Sequence, residues 1–164
     1  MLDNQDELFI VVDEQDNVLD YRSRYECHHD SSLIHRTVSI VLSDKIGNIV
    51  LQKRSMNKDT EPGKYTVSAS GHVEKGQSYQ EAAERELLEE IGVKTPLQFI
   101  KKLIVRTKKE SEMATVFTGT YSGIFHPAAD EVDMVKYYTK EDINKMQNLL
   151  TTTAKRVFEA LQIL

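Results

Sequence analysis

Apolar and polar positions alternate along the chain in short, well-punctuated runs. Leu8 to Val12 is apolar, Asp16-Asn17 interrupts it, and Val18 to Tyr21 resumes, a pattern that predicts a β-hairpin. Tyr21 to His29 is mixed and predicts one or two helical turns. Thr37 to Leu42 is β-branched and apolar; Gly47-Asn48 supplies a turn, and Ile49 to Gln52 returns as a second strand. After a loop from Ser55 to Lys64 that contains Pro62-Gly63, Tyr65 to Ala69 predicts a short strand. The clearest helix runs from Ser78 to Ile91, rich in alanine, leucine and glutamate, with Ser78 able to cap its start and Gly92 to stop it. Phe99 to Arg106, Ala114 to Tyr121 and Met134 to Thr139 predict strands. Thr139 can cap a helix from Lys140 to Gln147, and a last helix spans Thr152 to Leu161. Strands mixed with a few helices, in no regular alternation, predict an α+β fold with a mixed β-sheet layered with helices.

Length adds that residues 1–164 form one domain, since the chain is too short for two ordinary ones. Hydrophobic residues make up 40%, as in globular proteins. The net charge of −5 argues against a protein that grips a nucleic-acid polymer by its backbone, yet a small phosphorylated partner needs only a few local Lys and Arg. One cysteine, Cys27, permits no internal disulfide. The acidic, polar start does not read as a secretion signal, and no apolar stretch is long enough to span a bilayer. A cytoplasmic protein is the expectation. The sequence leaves its oligomeric state open, a homodimer included.

On the main helix Glu86, Glu89 and Glu90 fall at i, i+3 and i+4, which predicts three carboxylates on one face. Like charges so placed repel, and a hard divalent cation with oxygen ligands removes the penalty. A plain solvated acidic face would show the same spacing. Upstream, Gly71 and Gly76 bracket a turn in Gly71-His72-Val73-Glu74-Lys75-Gly76. The whole segment from Gly71 to Val93 resembles the Nudix box, Gly-x5-Glu-x7-Arg-Glu-U-x-Glu-Glu-x-Gly-U with U aliphatic. Gly71, Arg85, Glu86, Leu87, Glu89, Glu90, Gly92 and Val93 are in register, and Gln77 replaces the first Glu. The resemblance implies a loop–helix–loop that binds Mg²⁺ (or Mn²⁺) through Glu86, Glu89 and Glu90, and hydrolysis of a small-molecule diphosphate, typically a nucleoside diphosphate linked to another group. Gln77 is neutral and cannot serve as a base, but it can hydrogen-bond Arg85.

A second set of residues is similar to the metal site of the isopentenyl diphosphate isomerases, which share the Nudix fold. His28 and His35 match the spacing His-x6-His, His72 follows the box glycine, and Glu110-Ser111-Glu112 matches Glu-x-Glu. His29 adjoins His28, and the spacing favours His28. By the same resemblance Arg54 and Lys58 would grip the diphosphate. The isomerases carry a catalytic Cys just before the box glycine, where this chain has Ser70, and they lack most of the helical glutamates that it keeps. A serine hydroxyl is far less acidic than a thiol. The expectation is therefore a Nudix-type pyrophosphohydrolase from the isomerase-like branch, with Glu86, Glu89 or one of Glu110 and Glu112 as general base and Glu90 as direct ligand. Isomerisation is the alternative, and a weakly catalytic diphosphate-binding module, which Gln77 alone favours, is a third. Tyr65 and Phe117 read as core and Cys27 as a buried or neutral residue. The loops Ser55 to Lys64 and Tyr121 to Asp133 show no specificity signature; Tyr121 and Phe125 are the aromatic residues there that a base would stack on.

Overall fold

The computed structural model describes residues 3–164. Its elements are β1 (Leu8–Val12), β2 (Val18–Ser23), α1 (Arg24–Cys27), β3 (Ile34–Ser43), β4 (Ile49–Arg54), β5 (Tyr65–Thr66), β6 (Ala69–His72) and α2 (Tyr79–Ile91). There follow β7 (Gln98–Arg106), β8 (Ser111–Thr120), β9 (Val132–Tyr138), α3 (Lys140–Lys145), a 3₁₀ turn (Gln147–Leu149) and α4 (Thr152–Ala160). All nine strands join one mixed sheet, as the α+β expectation required.

β3 is its hub. It runs parallel to β8 in a continuous register from Ile34↔Ser111 to Ser43↔Thr120 and antiparallel to β6, with Thr37↔His72 and Ser39↔Ser70. Its start pairs with β1, and its end meets β4 at Ser43↔Ile49. Successive strand residues face opposite sides. Val38, Ile40 and Leu42 accordingly pack into one core with Ala82, Ala83, Leu87 and Ile91 of α2. Val41 joins the opposite core with Ala154, Val157 and Phe158 of α4. The sheet is thus held between α2 and α4. The same alternation puts His35, Thr37 and Ser39 on the α4 side, where the packing gives way to a cavity.

Two differences from the predicted elements bear on that cavity. The strand expected over Tyr65 to Ala69 is two strands, because the chain changes neighbours: β5 pairs with β4 and β6 with β3. Ser68 bridges the change, its hydroxyl accepting from the Leu42 N–H at 2.8 Å and donating to the Val50 carbonyl at 2.6 Å. β3 and β8 also begin three residues earlier than their apolar runs suggest. Their first turns of strand carry His35, Arg36, Ser111 and Glu112, polar residues that hydrophobic patterning does not mark as strand.

Candidate active site

Five side chains drawn from four parts of the chain meet on the α4 side of the sheet. His35 is fixed by β3, Glu112 lies beside it across the parallel register, and His72 stands at the end of β6. His28 follows α1, a single turn secured by a reciprocal Ser23–Glu26 capping box. The ring centroids of His28, His35 and His72 are 5.3 to 5.5 Å apart. Ligand atoms of these three lie within 4.8 Å of one another, and so do those of His35, Glu110 and Glu112. Phe9 stacks on His72 with centroids 3.7 Å apart. His29 turns away to the Tyr25 carbonyl.

The hydrogen bonds of this donor set bear on whether it fits a cation. Both ring nitrogens of His35 and Nε2 of His28 are buried without a hydrogen-bond partner. Nε2 of His28 lies 3.0 Å from Glu110 Oε2 but is not aligned to bond it. Burial drops the His35 pKa to about 3 and takes His72 well below its ordinary value, so both rings are neutral. Burial raises Glu112 to about 7, with the Glu110 charge adding to it, and raises Glu110 as well. Buried polar groups are normally paired. Neutral imidazoles without partners, beside carboxylates that desolvation penalises, fit a divalent cation, which would satisfy both at once. Asp59 completes the arrangement: its Oδ2 meets Nδ1 of His28 at 3.2 Å and so leaves Nε2 facing the cluster. Arg24 holds Asp59 in turn. Thr153, at the start of α4, donates to Glu112 Oε2 at 2.7 Å.

The helical carboxylates enter the same cavity, which measures about 290 Å³. α2 is placed by a Ser78–Glu81 capping box and ends at Gly92, in the left-handed conformation. Glu86 lies over Gly71, where a Cβ would come within 2.1 Å of its carboxyl carbon; only glycine leaves that space. Glu90 accepts from the Ser70 N–H at 3.2 Å and from the Gln52 amide. Burial, with the neighbouring Glu90 charge second, holds Glu86 well above the usual carboxylate range; burial lifts Glu90 to about 7. The trio is not equivalent, as equal sharing of one face would make it. Glu86 and Glu90 are sunk against the sheet, whereas the Glu89 side chain is 58% exposed and pairs with Arg85 at 3.0 Å. Arg85 also bonds Glu86, the His72 carbonyl and, at 3.3 Å, Gln77. Gln77 therefore does what a neutral residue at that position can do, which is to orient Arg85.

Arg54 and Lys58 both line the cavity. Arg54 donates to the Thr60 carbonyl, and Lys58 sits between Asp3 and Glu131 at 3.0 and 3.4 Å. Cys27 is fully buried in a separate cluster with Phe9, Val11 and Leu33, and burial pushes its thiol up to about 12. Tyr121 and Phe125 pack with Tyr137 against the α2-side core and lie outside the cavity lining. Phe117 is core as expected, and Tyr65 is half-buried against Tyr138. Nothing in the local sequence marks Asp59, Gln52 or Thr153. Their partners are 31, 38 and 41 residues away, and no local spacing carries such a signal.

The NUDIX domain family model matches residues 33–161. The chain belongs to the Nudix hydrolase family. Among Nudix relatives, an isopentenyl-diphosphate Delta-isomerase 2 of Photorhabdus laumondii is 30% identical, over 95% of this chain and 93% of its own length. A prenyl-diphosphate phosphatase of Methanosarcina mazei is 32% identical, over 82% of this chain and 80% of its own. The fold is that of DR0079 from Deinococcus radiodurans, with a TM-score of 0.79 over 93% of this chain and 98% of that one at 20% identity. The Nudix box is thus the β6–α2 unit, and the relatives fall in two reaction classes that one fold supports.

Proposed function

We propose that this Nudix protein hydrolyses the diphosphate bond of a small-molecule substrate with Mg²⁺ or Mn²⁺ as cofactor. The observation that carries the reading is one cavity lined both by Glu86 and Glu90 of α2 and by His28, His72, Glu110 and Glu112, with His35 buried directly against that cluster and a serine, Ser70, in the same wall. The all-oxygen set of α2 suits Mg²⁺ or Mn²⁺, and the mixed imidazole and carboxylate set suits a divalent transition ion. When bound, such ions neutralise phosphate oxygens and lower the pKa of water. The protein supplies the rest. Arg54 and Lys58 contact phosphate oxygens, Lys58 exchanging a carboxylate partner for the substrate. Arg85 steadies Glu86 and Glu89. A carboxylate among Glu86, Glu89 and Glu112 takes the proton as the water oxygen bonds to phosphorus and the bridging P–O bond breaks toward the leaving phosphate.

The His/Glu cluster also favours a second reading, isomerisation of isopentenyl diphosphate. That reaction moves a proton on and off carbon through an acidic side chain, and the isomerases use a thiol for it. Ser70 stands in the thiol's place, and the Cys27 thiol lies outside the cavity. Hydrolysis is therefore preferred. Glu89→Gln and Glu90→Gln are expected to lose at least about a hundredfold in kcat, a drop typical of removing a positioned acid–base group, with circular dichroism unchanged. Full turnover in both variants would refute the assignment.

A further inference from the structure

The cavity wall says more about the substrate than the family does. Among the described residues no Phe, Tyr or Trp lines it, and Val38 is its single aliphatic residue, with its side chain turned into the α2-side core. The uncharged wall is made of hydroxyls, Thr37, Ser39, Thr66, Ser70 and Thr151 among them. Thr37 and Ser39 are 3% and 1% exposed, lie on the same face of β3 as His35, and leave Thr37 Oγ1 and Ser39 Oγ without any protein partner. Their strand neighbours are His72 and Ser70, so they stand between the His/Glu cluster and Glu90. A ligand seated against this wall lies next to two desolvated hydroxyls that have no partner. A hydroxyl-bearing group satisfies them, whereas a hydrocarbon chain leaves both unpaired, the condition under which sites reject a substrate analogue most strongly. A volume of about 290 Å³ is at the small end for ligand pockets, which run from about 300 to 1,000 Å³.

We infer that the substrate is the diphosphate of a small hydroxylated group, a sugar or polyol, rather than of an isoprenoid chain or a base-bearing nucleoside, and that Thr37 and Ser39 select it. This rests on the hydrolase reading and sets the chain apart from its prenyl-diphosphate phosphatase relative. The experiment measures kcat/KM with Mg²⁺ and with Mn²⁺ for a pentose 1-diphosphate and for isopentenyl diphosphate, in the wild type and in Thr37→Val and Ser39→Ala. The wild type prefers the pentose diphosphate by at least about a hundredfold. Each substitution lowers that preference tenfold or more, mainly through the sugar substrate. Thr37→Val melts no lower than the wild type, because it removes a buried hydroxyl that has no protein partner. Equal or better turnover of isopentenyl diphosphate overturns the inference, and so does a loss shared equally by both substrates. Turnover of neither also overturns it. In that case hydrolysis of another diphosphate that Glu90→Gln abolishes keeps the hydrolase reading alone, and no hydrolysis of any diphosphate removes both.

Discussion

At the scale of single residues, the site is a balance of groups that folding has placed at a disadvantage. Glu90 and Glu112 titrate near 7 in the folded chain against an ordinary value of 4.5. Without a cation, the folded protein therefore binds more protons than the unfolded chain between about pH 4.5 and 7, and stability falls as pH rises through that window. His35 acts in the opposite sense, but only between about pH 3 and 6.5, where the unfolded chain holds the extra proton. Above pH 6.5 the carboxylates act alone. The melting temperature of the protein in a chelator is expected to drop between pH 6.5 and 8, and saturating Mn²⁺ to reduce that drop. A melting temperature that climbs over this interval in chelator contradicts the burial argument. The candidate ligand types at these positions were legible from the resemblance to the Nudix box and to the isomerase site. What orients them was not: Asp59 behind His28 and Gln52 beside Glu90 are single polar residues in ordinary sequence, brought to the site by strand pairing and loop placement.

At the scale of elements, α2 and β3 carry the design. The caps of α2 were readable because Ser78 and Gly92 act on their immediate neighbours. Gly92 has φ +69°, and an added Cβ would fall 2.7 Å from the His126 Cβ. Its amide donates to the Leu88 carbonyl while His126 N–H bonds the Ile91 carbonyl, tying the end of the helix to the loop that contributes Glu131 to the cavity. Gly92→Ala is expected to cost about 1–3 kcal/mol, the sum of a left-handed Ala and a close contact. Urea unfolding measures it, and a loss below a few tenths of a kcal/mol would show that the cap is not under constraint. The misread boundaries share one cause. Hydrophobic patterning finds strands that face a core, but β3 and β8 start on the cavity, where His35 and Glu112 replace apolar residues. Failure of the pattern at those positions is itself a mark of a site. The break in the strand expected over Tyr65 to Ala69 has a different cause, a change of pairing partner that no residue at the break announces.

At the scale of the molecule, the mixed sheet serves as a partition between two apolar cores, and the cavity forms where the α4-side core gives way to polar residues. α2 approaches that cavity from the other side through the gap at Gly71, which is how helical carboxylates and strand histidines come to share it. Family and fold class were readable because the box is local and long. The convergence of His28, His35, His72, Glu110 and Glu112 rests on tertiary structure and was only implied by the resemblance to the isomerases. The shared cavity makes the reaction class the central question, since the relatives include both a phosphatase and an isomerase. The most direct measurement is oxygen-isotope transfer. The protein is incubated with Mg²⁺, Mn²⁺ and diphosphate substrates in water enriched in oxygen-18, and the products are read by phosphorus NMR and mass spectrometry. Hydrolysis predicts cleaved diphosphate with one oxygen-18 in a released phosphate, lost in Glu90→Gln. An intact diphosphate on a chain whose double bond has moved, with no isotope incorporated, would contradict it.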